Sequence, residues 1–129
     1  MSGFLLDTNA ALFALAAPEK LSGEAQAAIL AGPNHLSVLS YWEVVLKSMK
    51  SKLDVGDPRG WWVDALDQLA AVPLLLRPEH VAEVFTLSAH YQNPFDHALA
   101  AQAISEGLTL ISTNRGIARF AADGLQTIW

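Results

Sequence analysis

The sequence contains no cysteine among its 129 residues. This absence excludes thiol catalysis, disulfide bonds and metal sites built on thiolates. A chain without cysteine also fits a reducing compartment, so we expect a cytoplasmic protein. Any chemistry that the protein performs must come from oxygen and nitrogen side chains.

Charged side chains are scarce and mostly acidic. They make up 16% of the chain, with 13 Asp and Glu against 8 Lys and Arg, which gives a formal net charge of −5. This balance excludes a polybasic arm for nucleic acid. The longest stretch without a charged side chain, residues 25–42, is interrupted by Gly32 and Pro33 and cannot span a membrane. Residues 1–3 carry no basic side chain, so we expect neither a signal peptide nor a membrane partner.

Apolar residues, by contrast, are plentiful enough for a sizeable core. They form 52% of the chain, and 21 of the residues are alanine, which favours helices. The chain has no internal repeat, no low-complexity tract and no long linker. We therefore expect a single domain over residues 1–129.

Short apolar runs alternate with longer helical patterns along the chain. The runs predict strands at residues 4–7, 35–38, 72–76, 108–111 and 127–128. The patterns predict helices at residues 8–16, 22–31, directly after 38, 61–71, 81–88 and 94–106, and a last short helix before residue 127. This alternation predicts an α/β fold, with a short central parallel sheet flanked by helices and with strands 4–7 and 108–111 inside it.

Polar residues that follow the predicted strands are the first candidates for chemistry, because ligands bind beyond the carboxyl ends of parallel strands. Asp7 follows the first strand, Glu43 comes five residues after the second, and Asn114 lies just beyond the fourth. Asp96 joins them if its helix starts at the same edge. Carboxylates gathered at one edge repel each other, and a hard divalent cation such as Mg²⁺ or Mn²⁺ is the usual reason to keep them together.

Each of these acids also has an ordinary structural explanation. Ser40 and Glu43 match a capping box, and Glu43 and Lys47 form an i,i+4 pair. Asp96 falls in the first turn of its predicted helix, where an acid complements the helix dipole. Asp7 could cap the helix that follows it. Their concentration at one predicted edge, in a chain with few charges, is what favours a site.

Four segments together carry a resemblance to a known family. They are residues 5–9 (LLDTN), 40–44 (SYWEV), 96–103 (DHALAAQA) and 110–115 (LISTNR). In this order and at this chain length they resemble the PIN-domain ribonucleases, and among these the VapC toxins. The resemblance covers the whole chain. It implies a three-layer PIN-like fold and a metal-dependent endoribonuclease.

The resemblance also implies the roles of individual residues. The acidic site for Mg²⁺ or Mn²⁺ would consist of Asp7, Glu43 and Asp96. Polar support would come from Thr8, Asn9, Thr113 and Asn114. The family often has a fourth acid where this chain has Asn114, so we expect one well-occupied metal, with the amide able to offer a neutral oxygen.

Basic residues flank two of these segments. Lys47, Lys50 and Arg115 could bind RNA phosphates, although an ordinary solvated face explains them equally well. The alternatives stay open on sequence alone.

Partners are implied by the resemblance rather than by composition. A VapC-like toxin implies a VapB-type antitoxin whose tail places a basic side chain in the acidic site, an RNA substrate and a homodimer. Three carboxylates in one cleft would attract such a side chain electrostatically. The alternative is a non-catalytic PIN-like module for protein interaction, because Asn114 weakens the acidic set.

Overall fold

A computed structural model of the chain describes residues 3–87 and 93–129. In these residues five parallel strands form one sheet in the order β3-β2-β1-β4-β5. The strands are β1 Phe4–Leu6, β2 Asn34–Ser37, β3 Ala71–Leu74, β4 Thr109–Ile111 and β5 Gln126–Ile128. The parallel sheet and the inner positions of β1 and β4 are confirmed.

Helices connect these strands. The α-helices are α1 Thr8–Ala16, α2 Gly23–Ala31, α3 Val38–Met49, α4 Pro58–Gln68, α5 Pro78–Thr86 and α6 Pro94–Glu106. Two 3₁₀ helices, Pro18–Lys20 and Arg115–Asp123, complete the described elements. None of the helices in residues 3–87 and 93–129 is long and apolar enough to cross a membrane.

The core is divided between the two faces of the sheet. Because side chains alternate along a strand, Leu5 and Leu6 of β1 point to opposite faces. Leu5 belongs to a cluster with Leu99 of α6 and Phe120, whereas Leu6 packs in a second cluster with Trp61 of α4. Helices therefore cover both faces of the sheet, and the three-layer α/β architecture is confirmed.

Alanine lets the helices approach the sheet closely. The alanines at positions 10 and 11 of α1, 25 of α2 and 100, 101 and 103 of α6 are completely buried. A side chain of one carbon leaves little volume between helix and strand. The abundance of alanine thus reflects packing as well as helix propensity.

The capping box predicted at Ser40 is wrong. α3 begins at Val38, and its N-cap is Ser37, whose hydroxyl accepts the Leu39 N–H at 3.0 Å. Ser40 is buried inside the helix, where its Oγ lies 3.0 Å from Thr8 Oγ1. The strand β2 runs directly into α3, so the serine that ends the strand becomes the cap.

Other boundaries differ by a few residues. α4 starts at Pro58 behind an Asp57 cap, and α5 starts at Pro78, each three residues before the predicted start. The predicted end of the latter helix, at residue 88, lies outside the described residues. β3 spans Ala71–Leu74 at the edge of the sheet, where Pro73 is tolerated because an edge strand leaves some N–H positions unpaired.

Candidate active site

Asp7 lies where the central strand β1 turns into α1. Its backbone N–H donates to the Ile111 carbonyl at 2.9 Å, which fixes it beside the end of β4. Its Oδ1 accepts the Ala10 N–H at 2.7 Å, so the carboxylate caps α1 as the sequence predicted. The residue is only 4% exposed. The fold thus holds a carboxylate rigidly, almost out of contact with water.

This environment raises the pKa of Asp7 from its ordinary value of 3.8 to about 6. Burial is the largest cause, since it disfavours the charged form. Hydrogen bonds from the Ser112 side chain and the Ala10 backbone lower the pKa, whereas the negative charges of Asp96 and Glu43 raise it further. The three acids from distant parts of the chain are therefore close enough to repel one another.

Glu43 projects from α3 and has a partner at each carboxylate oxygen. Thr8 Oγ1 donates to Glu43 Oε1 at 2.6 Å, and Lys47 Nζ lies 3.3 Å from Glu43 Oε2. The Lys47 side chain is 38% exposed. Glu43 is thus oriented by a residue of α1 and neutralised in part by a cation one turn along its own helix.

Asp96 lies in the first turn of α6, behind the Asn93 cap that the sequence predicted. Asn114 Nδ2 donates to Asp96 Oδ2 at 2.9 Å. The other end of the amide, Oδ1, accepts the Gly116 N–H at 2.9 Å and caps the second 3₁₀ helix. The amide therefore offers an N–H to the site, while its oxygen, which was expected to be able to serve as a neutral ligand, accepts from Gly116.

These residues line one cavity of about 130 Å³ at the carboxyl ends of the strands. Its lining consists of Asp7, Thr8, Asn9, Glu43, Lys47, Asn93, Asp96 and Asn114. We call it the acidic cavity. It brings together all three predicted acids and most of the predicted support.

Three predicted residues are not part of this lining. Thr113 and Arg115 line a neighbouring cavity together with Trp129. Lys50 is the exposed C-cap residue of α3. Of the three predicted phosphate contacts, only Lys47 reaches the acidic cavity.

Sequence reasoning missed the part played by Ser112 and Asn93. Ser112 is the first residue after β4, as Asp7 is the first after β1, and the two strands pair in register with Leu6 opposite Ile111. That equivalence was a usable signal, because it places the two side chains next to each other. Asn93 was recognised only as a helix cap, although it also lines the acidic cavity.

The donor set of the acidic cavity suits a hard divalent cation. Three carboxylates line it, and the negative charges of Asp96 and Glu43 add to the burial that raises the pKa of Asp7. Carboxylate oxygens are the ligands that Mg²⁺ and Mn²⁺ prefer. Within residues 3–87 and 93–129, however, no three His, Asp or Glu side chains are arranged to hold a metal ion as they stand.

The comparison with protein families identifies the fold. The model of the PIN domain matches residues 4–123. The chain belongs to the PIN domain family. No curated protein matches the sequence. The matched segment contains every residue of the acidic cavity, so the site described above is part of this PIN domain.

Solved structures with the same fold cover nearly the whole of this PIN domain. VapBC2 from Rickettsia felis, bound to a promoter DNA fragment, matches with a TM-score of 0.70 and 15% identity over 100% of this chain and 99% of that one. DNA-bound VapBC from Salmonella typhimurium matches with a TM-score of 0.71 and 17% identity over 99% of this chain and 98% of that one. VapBC-5 from Mycobacterium tuberculosis matches with a TM-score of 0.60 and 20% identity over 98% of this chain and 97% of that one. At these identities the likeness establishes the fold.

Proposed function

We propose that this PIN domain is a metal-dependent endoribonuclease that acts as a toxin of the VapC type. The observation that carries the proposal is the acidic cavity, in which Asp7, Glu43 and Asp96 meet at the carboxyl ends of the strands. The family membership and the fold shared with VapBC proteins support it. We further propose that residues 1–129 form one domain and that it works in the cytoplasm.

Asp7, Glu43 and Asp96 are the residues that would hold Mg²⁺ or Mn²⁺. A divalent cation bound there supplies Lewis-acid activation of an RNA phosphodiester and of the attacking water. No side chain then needs to act as the nucleophile. Because Asn114 offers an N–H where a further carboxylate would add charge, we propose that the cavity retains one cation well and a second one weakly.

The surrounding residues position this acidic set. Ala10 and Ser112 hold the Asp7 carboxylate, and Thr8 orients Glu43. Asn114 donates to Asp96 and so helps to fix the position of its carboxylate. Lys47, beside the cavity, is the nearest cation for a phosphate group, and Asn9 adds a polar side chain to the lining.

A nuclease in the cytoplasm needs an inhibitor, and we propose an antitoxin of the VapB type with a basic side chain that enters the acidic cavity. Charge complementarity supports this partner, because an Arg or Lys would relieve the repulsion of Asp7 by Asp96 and Glu43, which adds to the effect of burial on the pKa of Asp7. A homodimer is part of the same proposal. Expression alone should arrest growth, and co-expression of the adjacent reading frame should restore it and give a complex that survives gel filtration.

The test of the activity is cleavage of total RNA by the purified protein with Mn²⁺ or Mg²⁺. We expect cleavage that disappears in EDTA and in Asp7→Asn. The matched control is Asp64→Asn, the same chemical change at an exposed position of α4. Equal cleavage by wild type and Asp7→Asn, or full activity in EDTA, would contradict the proposal.

A non-catalytic interaction module is the second candidate. Two observations favour it: both oxygens of Glu43 already have partners, and the amide oxygen of Asn114 is turned toward Gly116. A protein that causes no RNA cleavage with any divalent cation, yet binds a basic peptide, would establish this candidate instead.

A further inference from the structure

A second cavity of about 410 Å³ adjoins the acidic cavity. Its lining includes Thr113, Arg115, Thr127 and Trp129, together with Ser112 and Asn114. We call it the Trp129 cavity. Its volume is large enough for a planar organic group, whereas the acidic cavity is three times smaller.

Backbone hydrogen bonds fix the position of the Trp129 cavity relative to Asp7. The Asp7 N–H donates to the Ile111 carbonyl, and the Ser112 N–H donates to the Ile128 carbonyl at 3.1 Å. Trp129 therefore follows β5 at the same edge of the sheet, two strands from Asp7. Neighbouring strands are about 4.8 Å apart, so the two positions are separated by roughly 10 Å. One or two nucleotides of an extended strand can bridge that distance.

Two residues join the cavities directly. Asn114 lines both of them. Ser112 lines the Trp129 cavity and hydrogen-bonds to the Asp7 carboxylate. The two cavities therefore lie side by side and share part of their walls.

The Trp129 cavity is lined by a basic side chain, whereas the acidic cavity is lined by three carboxylates. Arg115 has the one charged side chain among the lining residues that the structure describes, and it forms no ion pair with a described carboxylate. Trp129 is 39% exposed, so its ring is partly available to a ligand. The hydroxyl groups of Thr113 and Thr127 add hydrogen-bonding capacity. An aromatic residue and a cation that line the same cavity are a combination that binds single-stranded nucleic acid.

We propose that the Trp129 cavity is a base-binding subsite for single-stranded RNA, in which a base next to the cleaved phosphate stacks on Trp129 and its phosphate contacts Arg115. The inference deepens the proposed ribonuclease function and rests on it. Charge favours RNA over a peptide as the occupant. A peptide that inserts a basic side chain into the acidic cavity would be repelled by Arg115, whereas a phosphate is attracted.

The test measures binding of a fluorescein-labelled single-stranded RNA of about ten nucleotides. Asp7→Asn is the parent protein, so that the RNA stays intact. Adding Trp129→Leu removes the aromatic face but keeps an apolar side chain, and should weaken binding by about 5- to 150-fold. Adding Trp129→Phe restores a ring and should bind more tightly than the leucine variant. Phe85→Leu, at a residue that is 93% exposed on α5, is the control and should bind like the parent.

Arg115→Ala gives a second, independent readout. Loss of one phosphate contact should reduce the slope of log affinity against log salt concentration by about 0.7 for a single strand. Because Arg115 is exposed, this variant should fold normally, and thermal melting of every variant checks the fold.

The outcomes separate the subsite from the activity. If wild type cleaves RNA in Mn²⁺ but the leucine, phenylalanine and parent proteins bind equally, the subsite is wrong and the ribonuclease function stands. If the leucine variant loses binding to a basic antitoxin peptide and retains binding to RNA, the cavity belongs to the peptide and the inference is overturned. A wild-type protein that neither cleaves nor binds RNA overturns both.

Discussion

Asp7→Asn should make the metal-free protein more stable at about pH 7, although it should abolish cleavage. The pKa of Asp7 lies at about 6 in the folded chain, against an ordinary value of 3.8. At 1.36 kcal/mol for each pH unit, this difference corresponds to about 3 kcal/mol of destabilisation when the group is charged. Asparagine has no charge to bury, and its side-chain oxygen can still accept the Ala10 N–H as a good N-cap.

The effect has a defined dependence on pH. Between about pH 4 and 6 the folded wild type binds more protons than the unfolded chain, because its Asp7 pKa is the higher one. The Asp7 contribution therefore makes wild type more stable as the pH falls through this window. Asp7→Asn lacks this contribution, so its gain in stability over wild type is complete above about pH 6 and disappears below about pH 4.

Urea denaturation in EDTA at about pH 7 and pH 4 measures this difference. Asp64→Asn controls for the loss of one negative charge from an acidic protein and should shift the midpoint little. A variant that is no more stable than wild type at pH 7 would refute the reasoning. So would an equal gain at both pH values, because a titrating group cannot produce it.

Two further predictions concern the metal. Asn114→Asp should raise the affinity for Mn²⁺ in isothermal titration calorimetry, because it adds a negative charge to the cavity. The same variant should be less stable in EDTA, because it also removes the N–H donor to Asp96. An unchanged affinity for Mn²⁺ would contradict the charge argument. Lys47→Met should lower the free energy of unfolding by about 1 kcal/mol or less, because its ion pair with Glu43 is partly exposed. The variant should bind Mn²⁺ more tightly, since it lacks a cation that competes for Glu43. Weaker Mn²⁺ binding would instead assign Lys47 a supporting role.

Local signals account for the elements that the sequence predicted well. Asp7 caps α1 and Asn93 with Pro94 starts α6, and each signal lies within a few residues of the boundary that it marks. The start of α4 at Pro58 could have been predicted in the same way, because Asp57 precedes a proline at the first helical position. Helix boundaries that are marked by residues within one helical turn can therefore be predicted from the sequence alone.

The interpretation of Glu43 shows where such reasoning stops. The ion pair of Glu43 with Lys47 follows the predicted i,i+4 spacing. Ser40 and Glu43 also have the spacing of a capping box, but the hydroxyl that donates to Glu43 is that of Thr8, which lies 35 positions away. No local pattern distinguishes these two arrangements. The same holds for the amide of Asn114, whose orientation depends on Asp96 on one side and Gly116 on the other.

The pairing of β1 with β4 has a consequence for the timing of activity. Phe4 pairs with Thr109, and the Asp7 backbone N–H donates to the Ile111 carbonyl, so β1 cannot pair with β4 until the ribosome has added 105 further residues. At about 5–20 residues per second, a ribosome needs several seconds to add the residues between them. Parallel pairing across so long a separation also folds slowly. A nascent chain therefore keeps its acids apart, and under the proposed function this interval would let an inhibitor be present before the acidic cavity forms.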